Sequence, residues 1–429
     1  MASEGFDRRR FLQSTSLTSA AALAIQSAVQ GADANSATPS IVERASPNAP
    51  HAFLTKADDF YLVARGEPKP HTLVDQALIN ARMTPESWRL EITADPYIEP
   101  PLITQSATIE RSFTLSAGTA IDLPTLQEMG KKHAVKFIKM MQCLNLATPL
   151  GQGLWEGVPL RDVLRLCGKI QNVRRIYFWG FHNHDPKQIF KASVTYTQAM
   201  ETAPGDLPVI LAYKLNGEPI SPLRGGPVRM IIPWAHGFKN VKWLNHLFIT
   251  NDPRIPETYY QGNANNDPDG ELKSAAYVDK GPENEKHRSG SDLTLSGHVV
   301  AGMSGVQRVE YWLRSVSGEA KPLDDDAPEL LRGPWNRCEI LLAPNWATVL
   351  PEGTSPGELI GFDSATNQPK TWPLKYGFAS WTVTLRDLKP GVYEFRARSV
   401  DRNDFAQPEP RPYRKNGNNL IQVRRFEVA

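Results

Sequence analysis

Cysteine is scarce in this chain. Only Cys143, Cys167 and Cys338 occur among 429 residues, which excludes a disulfide scaffold and leaves at least one thiol unpaired. There is no CxxC pair and no Cys/His quartet, so a zinc site made of protein ligands alone is not expected. A CxxCH haem-attachment motif and a GxxxxGK[ST] phosphate loop are absent too. Neither sign of charge dominates: 48 Lys and Arg stand against 46 Asp and Glu, a net charge of +2. That argues against a nucleic-acid binder and against an acidic tail protein. Past residue 34 no segment approaches ~18 consecutive apolar residues, so the mature protein is expected to have no membrane span.

Proline and glycine, in contrast, are abundant, at 35 and 30 residues. With frequent Val, Ile and aromatic runs they predict a turn-rich fold dominated by β structure. Hydrophobic residues make up 41% and charged residues 22%, so most of the chain is expected to fold. The length suggests two or three domains at about 100–200 residues each.

The first 34 residues read as an address. Asp7-Arg8-Arg9-Arg10-Phe11-Leu12-Gln13 has the arginine pair and Phe-Leu of twin-arginine export. A moderately apolar stretch from Leu17 to Val29 follows, and Ala32-Asp33-Ala34 suits a small-x-small cleavage site. The plainer alternative is a basic, disordered terminus. The three features in order favour a signal peptide over 1–34 and a periplasmic protein. Because this route moves folded proteins, often with a cofactor inserted, a cofactor protein of an oxidising compartment is expected.

Residues 35–58 are polar and Pro/Ser/Ala-rich and read as a flexible arm. From Phe60 to about Leu247, strand-like and helix-like pieces mix. Strands are expected at Trp88–Ile92, Val135–Met141, Val209–Leu215 and Val228–Pro233, with a turn at Asn216-Gly217. Short helices are expected from Leu123 and over Leu160–Leu166. Asn251–Gly290 turns polar and reads as a long functional loop plus linker. Beyond Leu293, strands at Leu295–Val300, Val306–Arg314, Ser380–Leu385 and Val392–Val400 suggest a β-sandwich.

Two places stand out chemically. Cys143 ends an apolar strand and opens a loop, where a thiolate could be a nucleophile, a redox thiol or a soft metal ligand. A buried core cysteine is the plain alternative. Arg224-Gly225-Gly226-Pro227-Val228-Arg229 and Gly237-Phe238-Lys239-Asn240-Val241-Lys242-Trp243 combine glycines with cations. That suits an anion such as a phosphate, against the alternative of an ordinary turn with solvated charges. His236 could relay a proton near pH 7 or serve as a structural donor. His182-Asn183-His184-Asp185 reads as surface polarity rather than a metal site.

Five segments, in order, resemble the sulfite oxidase family of molybdopterin enzymes. They are Phe60–Pro70; Gln142-Cys143 with Trp155–Leu164; Leu211–Ile220; Gly225–Arg229 with Pro233 and Val241–Leu244; and Ser399–Asn403 with Gln407-Pro408. The resemblance runs from about Asp58 to the C-terminus. It implies an α+β, β-rich fold: a sulfite-oxidase-type molybdopterin-binding domain over 59–284, then an immunoglobulin-like dimerisation domain over 285–429. It implies that Cys143 supplies a thiolate to molybdenum and that Arg65 lies near the metal and helps bind an oxyanion. Arg229, Lys242 and Lys239 would hold the pterin phosphate, with Arg224 and His236 in the same segment.

The chain also departs from the family. Cys143-Leu144-Asn145-Leu146-Ala147-Thr148 replaces C-x-G-N-R-R, so an arginine that grips sulfite is missing. Arg224 stands where the family has histidine, and Arg65-Gly66-Glu67 replaces Arg-Asn-His. Neither Tyr259 nor Tyr260 aligns without gaps to the active-site tyrosine. A dianion needs convergent positive charge, so sulfite itself is less favoured. The expectation is a molybdenum-dependent, sulfite-oxidase-like enzyme acting by oxygen-atom transfer on a small sulfur compound. A separate acceptor, a c-type cytochrome, would take the electrons, and the protein would be a homodimer. A sulfane-sulfur dehydrogenase subunit, a sulfoxide-type reductase and a non-catalytic binding protein on the same fold are the alternatives.

Overall fold

The computed structural model describes residues 52–63, 65–143, 146, 148–259, 270–281, 286–317, 320–324, 327–407 and 420–429. The expected signal peptide, most of the arm, Tyr260 and Pro408 lie outside the described residues. Among those described, no helix is long and apolar enough to cross a membrane.

Strands dominate. One sheet runs in the order Ile121–Asp122, Arg89–Ala94, Leu244–Thr250, Arg175–Gly180, Ala192–Thr195. Arg89–Ala94 pairs with Leu244–Thr250 in parallel, bringing together segments about 155 residues apart (Glu91 opposite His246). A second, antiparallel sheet runs Glu218–Pro219, Ile210–Leu215, Pro149–Pro159, Val135–Gln142, with Arg229–Ile231 also on Ile210–Leu215. Ile92, Phe178 and Leu247 of the first sheet and Val158, Leu211 and Met230 of the second bury into one cluster. Burying such side chains is the main force holding the layers together, at ~1.5–3 kcal/mol each.

Short helices fill the edges of that core. Leu123–His133 starts where the Asp122 carboxylate accepts from the Thr125 N–H at 2.9 Å, with Pro124 in the first turn. Lys131, Lys132 and His133 occupy its last turn, where cations suit the carbonyl end. Leu160–Arg165 buries Leu160, Val163 and Leu164.

The C-terminal part holds two further sheets. One runs Ala275–Lys280, Leu293–Val300, Phe378–Leu385, Glu339–Ile340; the other runs Lys286–His287, Val423–Val428, Gly391–Asp401, Val306–Val316, Asn336–Arg337. Val299 and Trp381 of the first meet Val309 and Phe395 of the second in a shared core.

Two local readings differ from expectation. Ala275–Lys280, taken as linker, is a strand paired with Leu293–Val300. Its short run, with Ala276 and Tyr277 buried, is masked by the polar residues on either side. The end of the expected arm is also fixed. Thr55 N–H donates to the Gln152 carbonyl at 2.8 Å, Asn216 donates to the Thr55 carbonyl at 2.8 Å, and Phe53 packs against Trp346.

Candidate functional site

Cys143 sits where the strand Val135–Gln142 ends and the chain turns back into Pro149–Pro159. Its thiol is free and half-buried, and it lines a cavity of about 280 Å³. Arg65, Arg224, Arg229 and Lys242 line the same cavity. The structure therefore brings together five of the residues singled out from sequence, from four separate stretches of chain.

Glycines make the cationic side of this cavity possible. Gly225 takes φ +94°, a left-handed conformation, and Trp243 N–H donates to its carbonyl at 2.8 Å. A Cβ on Gly226 would strike the Ile220 carbonyl oxygen. The tight backbone folds Arg224, Arg229 and Lys242 into one region.

Arg224 donates to the carbonyls of Phe60 at 2.8 Å and Asp58 at 3.2 Å. Arg229 donates to the carbonyls of Arg224 at 2.7 Å and Asn240 at 2.8 Å, with its guanidinium 5.3 Å from the Trp155 ring. Lys242 donates to the carbonyls of Val63 and Leu223, both at 3.2 Å. No carboxylate is among these partners. Burial, then mutual repulsion, lowers the proton affinity of Arg229 and Lys242. The Nε–H groups of Arg224 and Arg229 are buried with no partner among the described residues. Unpaired buried donors cost free energy, and an anion in the cavity would remove that cost.

Two expected residues stand elsewhere. Lys239 does not line the cavity: its ammonium is buried 2.9 Å from Glu257 and 3.1 Å from the Ser193 carbonyl. His236 is buried behind the wall, with Nδ1 3.0 Å from the Gly270 carbonyl. A carbonyl only accepts, so that nitrogen carries hydrogen, which suits the structural-donor alternative.

The sequence reading missed other lining residues. His182 and Asn183, expected to be polar residues of the surface, are part of the wall. His182 Nδ1 donates to the Gly180 carbonyl at 3.3 Å, and burial lowers its pKa, so the ring is neutral with Nε2 as an acceptor. Asn183, at φ +56°, donates to the Pro68 carbonyl at 2.7 Å and to Gln188 Oε1 at 2.9 Å. Gln188 bonds both the N–H and the carbonyl of Glu67, at 3.0 and 3.1 Å. The Arg65–Pro68 segment is thus clasped to a loop about 115 residues away. Tyr259, left open from sequence, also lines the cavity and stacks on Phe238 at 4.7 Å.

The donor set suits a molybdenum cofactor: one soft thiol, and buried cations with spare N–H groups toward a phosphate. Residues 77–259 match the family described as the oxidoreductase molybdopterin binding domain. Molybdopterin is the cofactor of this domain. The chain is 37% identical over 124 residues to an NAD(P)H nitrate reductase of Betula pendula, covering 28% of this chain and 13% of that one. It is 32% identical over 137 residues to the mitochondrial sulfite oxidase of Drosophila melanogaster, covering 32% and 22%. The chain thus spans less than a quarter of either relative. Among solved structures, it is similar to the sulfane dehydrogenase SoxCD from Paracoccus pantotrophus. That match has a TM-score of 0.53 and 16% identity, over 83% of this chain and 82% of that chain. At that identity the likeness is one of fold.

Proposed function

We propose that this protein is a molybdenum-dependent oxidoreductase that moves an oxygen atom to or from a small sulfur compound. The carrying observation is that Cys143 shares one cavity with Arg224, Arg229 and Lys242, and no Asp or Glu lines it among the described residues. When bound, the cofactor supplies two-electron chemistry coupled to oxygen-atom transfer. The chain's residues do the rest. Cys143 Sγ offers a thiolate to the metal, and the Nε–H groups of Arg224 and Arg229 receive the pterin phosphate. Arg65, at the rim, holds a substrate anion. Leu150, Phe181 and Trp243 keep water from the reacting atoms. His182 Nε2 accepts a proton, and Tyr259 presents a hydroxyl.

The direction on sulfur rests on the family resemblance of the five segments and on the sulfite oxidase relative. The nitrate reductase relative keeps nitrate in the test. In the same reading the protein is exported by the twin-arginine route to the periplasm, passes electrons to a c-type cytochrome and dimerises through residues 285–429. Sulfane-sulfur dehydrogenation and sulfoxide reduction use the same cavity with different partners.

Steady-state assays of molybdenum-loaded protein with sulfite, a sulfoxide and nitrate, with oxidised or reduced dyes, test this. Turnover of a sulfur compound at about tenfold or more the kcat/KM of nitrate is expected, a gap of about 1.4 kcal/mol. Preference for nitrate contradicts the substrate class. A loaded protein inert to all of them favours the binding-protein alternative.

A further inference from the structure

The charge and walls of the cavity narrow the substrate further, an inference that rests on oxygen transfer at sulfur. Of the four cations lining the cavity, three donate to backbone carbonyls and stand together on the phosphate side. Arg65 alone makes no hydrogen bond or ion pair with the described residues. Its guanidinium carbon lies 4.3 Å from the centre of the Phe190 ring. With no other partner among the described residues, its N–H fork is left to offer to two acceptor oxygens.

No other Lys or Arg lines the cavity among the described residues. Positions 64, 144–145, 147 and 260–269 contain no Lys, Arg or His. Burial holds His182 neutral. One free guanidinium matches one negative charge, whereas an inorganic dianion calls for several converging donors. Beside the polar His182, Asn183 and Gln188, the lining carries much apolar surface: Phe181, Phe190 and Trp243 line the cavity, and Tyr61 and Val63, each 43% exposed, line it too. Such surface is wasted on a small inorganic ion and suits an organic group.

The geometry points to an organic sulfinate, R–SO₂⁻, as the substrate class. Its two oxygens take the Arg65 fork, its organic group lies on the aromatic wall, and the sulfur lone pair stays free to react. The reaction is R–SO₂⁻ + H₂O → R–SO₃⁻ + 2 H⁺ + 2 e⁻. One S–O bond forms with the oxygen of water, and both O–H bonds break. The protons go to solvent and the electrons to an external one-electron acceptor, ferricyanide in the assay.

Two readouts test it on full-length, molybdenum-loaded protein. In calorimetric titration, benzenesulfonate should bind about tenfold tighter than methanesulfonate, and Arg65→Ala should weaken it by about tenfold or more. Arg65→Lys, which keeps the charge but not the fork, should fall between. In turnover, benzenesulfinate should exceed sulfite in kcat/KM by about tenfold. Preference for sulfite, or benzenesulfonate binding unchanged in Arg65→Ala, overturns the organic-sulfinate inference and leaves oxygen transfer at sulfur standing. Turnover of neither sulfur compound overturns both.

Discussion

The Lys239 ammonium lies 2.9 Å from the Glu257 carboxylate, with both side chains buried. Ser193 adds its N–H at 3.0 Å and its hydroxyl at 2.6 Å to the same oxygen. Lys239 follows Phe238, and Glu257 precedes Tyr259 by two residues; Phe238 and Tyr259 are the stacked pair at the cavity. The lysine that sequence assigned to a phosphate instead ties two wall segments together.

Removing one partner of this pair leaves a buried charge alone. Glu257→Leu or Lys239→Met should each destabilise by ~3–5 kcal/mol, while the double change should recover much of that loss. Urea unfolding of the three variants measures it. Additive losses in the double variant would show that the two side chains do not act as a pair.

Lys139 gives a pH signature. It is fully buried, donating to the carbonyls of Met140 at 2.8 Å and Ala235 at 3.2 Å. Burial and then Arg229 push its pKa down to about 7, against about 10.4 for an unfolded lysine. Between those values the unfolded chain binds more protons, so cofactor-free protein should gain stability as pH rises above about 7. The slope should be ~1.4 kcal/mol per pH unit per lysine. Cys167 and Cys338, pushed up to about 12 by burial, oppose it only above about pH 8.5. Unfolding free energies at pH 7 and 8.5 should show the rise, and Lys139→Met should flatten it. An equal rise in that variant would remove Lys139 as the source.

The Asn183–Gln188 clasp should matter to binding more than to folding. Its bonds are largely solvent-exposed, so Gln188→Ala should cost no more than ~1.5 kcal/mol of stability. It frees the segment carrying Arg65, so KM for an anionic substrate should rise several-fold with kcat nearly unchanged. A fall in kcat at constant KM would mean that the clasp serves the chemical step instead.

Much of this site was legible because its chemistry is local. Cys143 follows an apolar run, and Arg224 and Arg229 flank two glycines whose backbone admits no Cβ at position 226. What stayed hidden depends on distant pairing. His182 and Asn183 are wall residues, and Asn183 reaches the distant Pro68 carbonyl; nothing near 183 in the chain signals position 68. Lys239 looked like its neighbour Lys242, yet Ser193 and Glu257, 46 and 18 residues away, decide its partner. The strand Ala275–Lys280 escaped for the same reason: its pairing with Leu293–Val300 outweighs its polar surroundings.

In the proposed function, Cys143 and the cationic cavity, whose described lining holds no Asp or Glu, hold a molybdenum cofactor. Metal and pterin analysis of matured wild-type and Cys143→Ser protein tests it most directly. Near-stoichiometric molybdenum is expected in the wild type, with molybdenum falling sharply and pterin retained in Cys143→Ser, because the cationic anchor is intact. A well-folded wild type without molybdenum or pterin, or a Cys143→Ser protein with undiminished molybdenum, would contradict it.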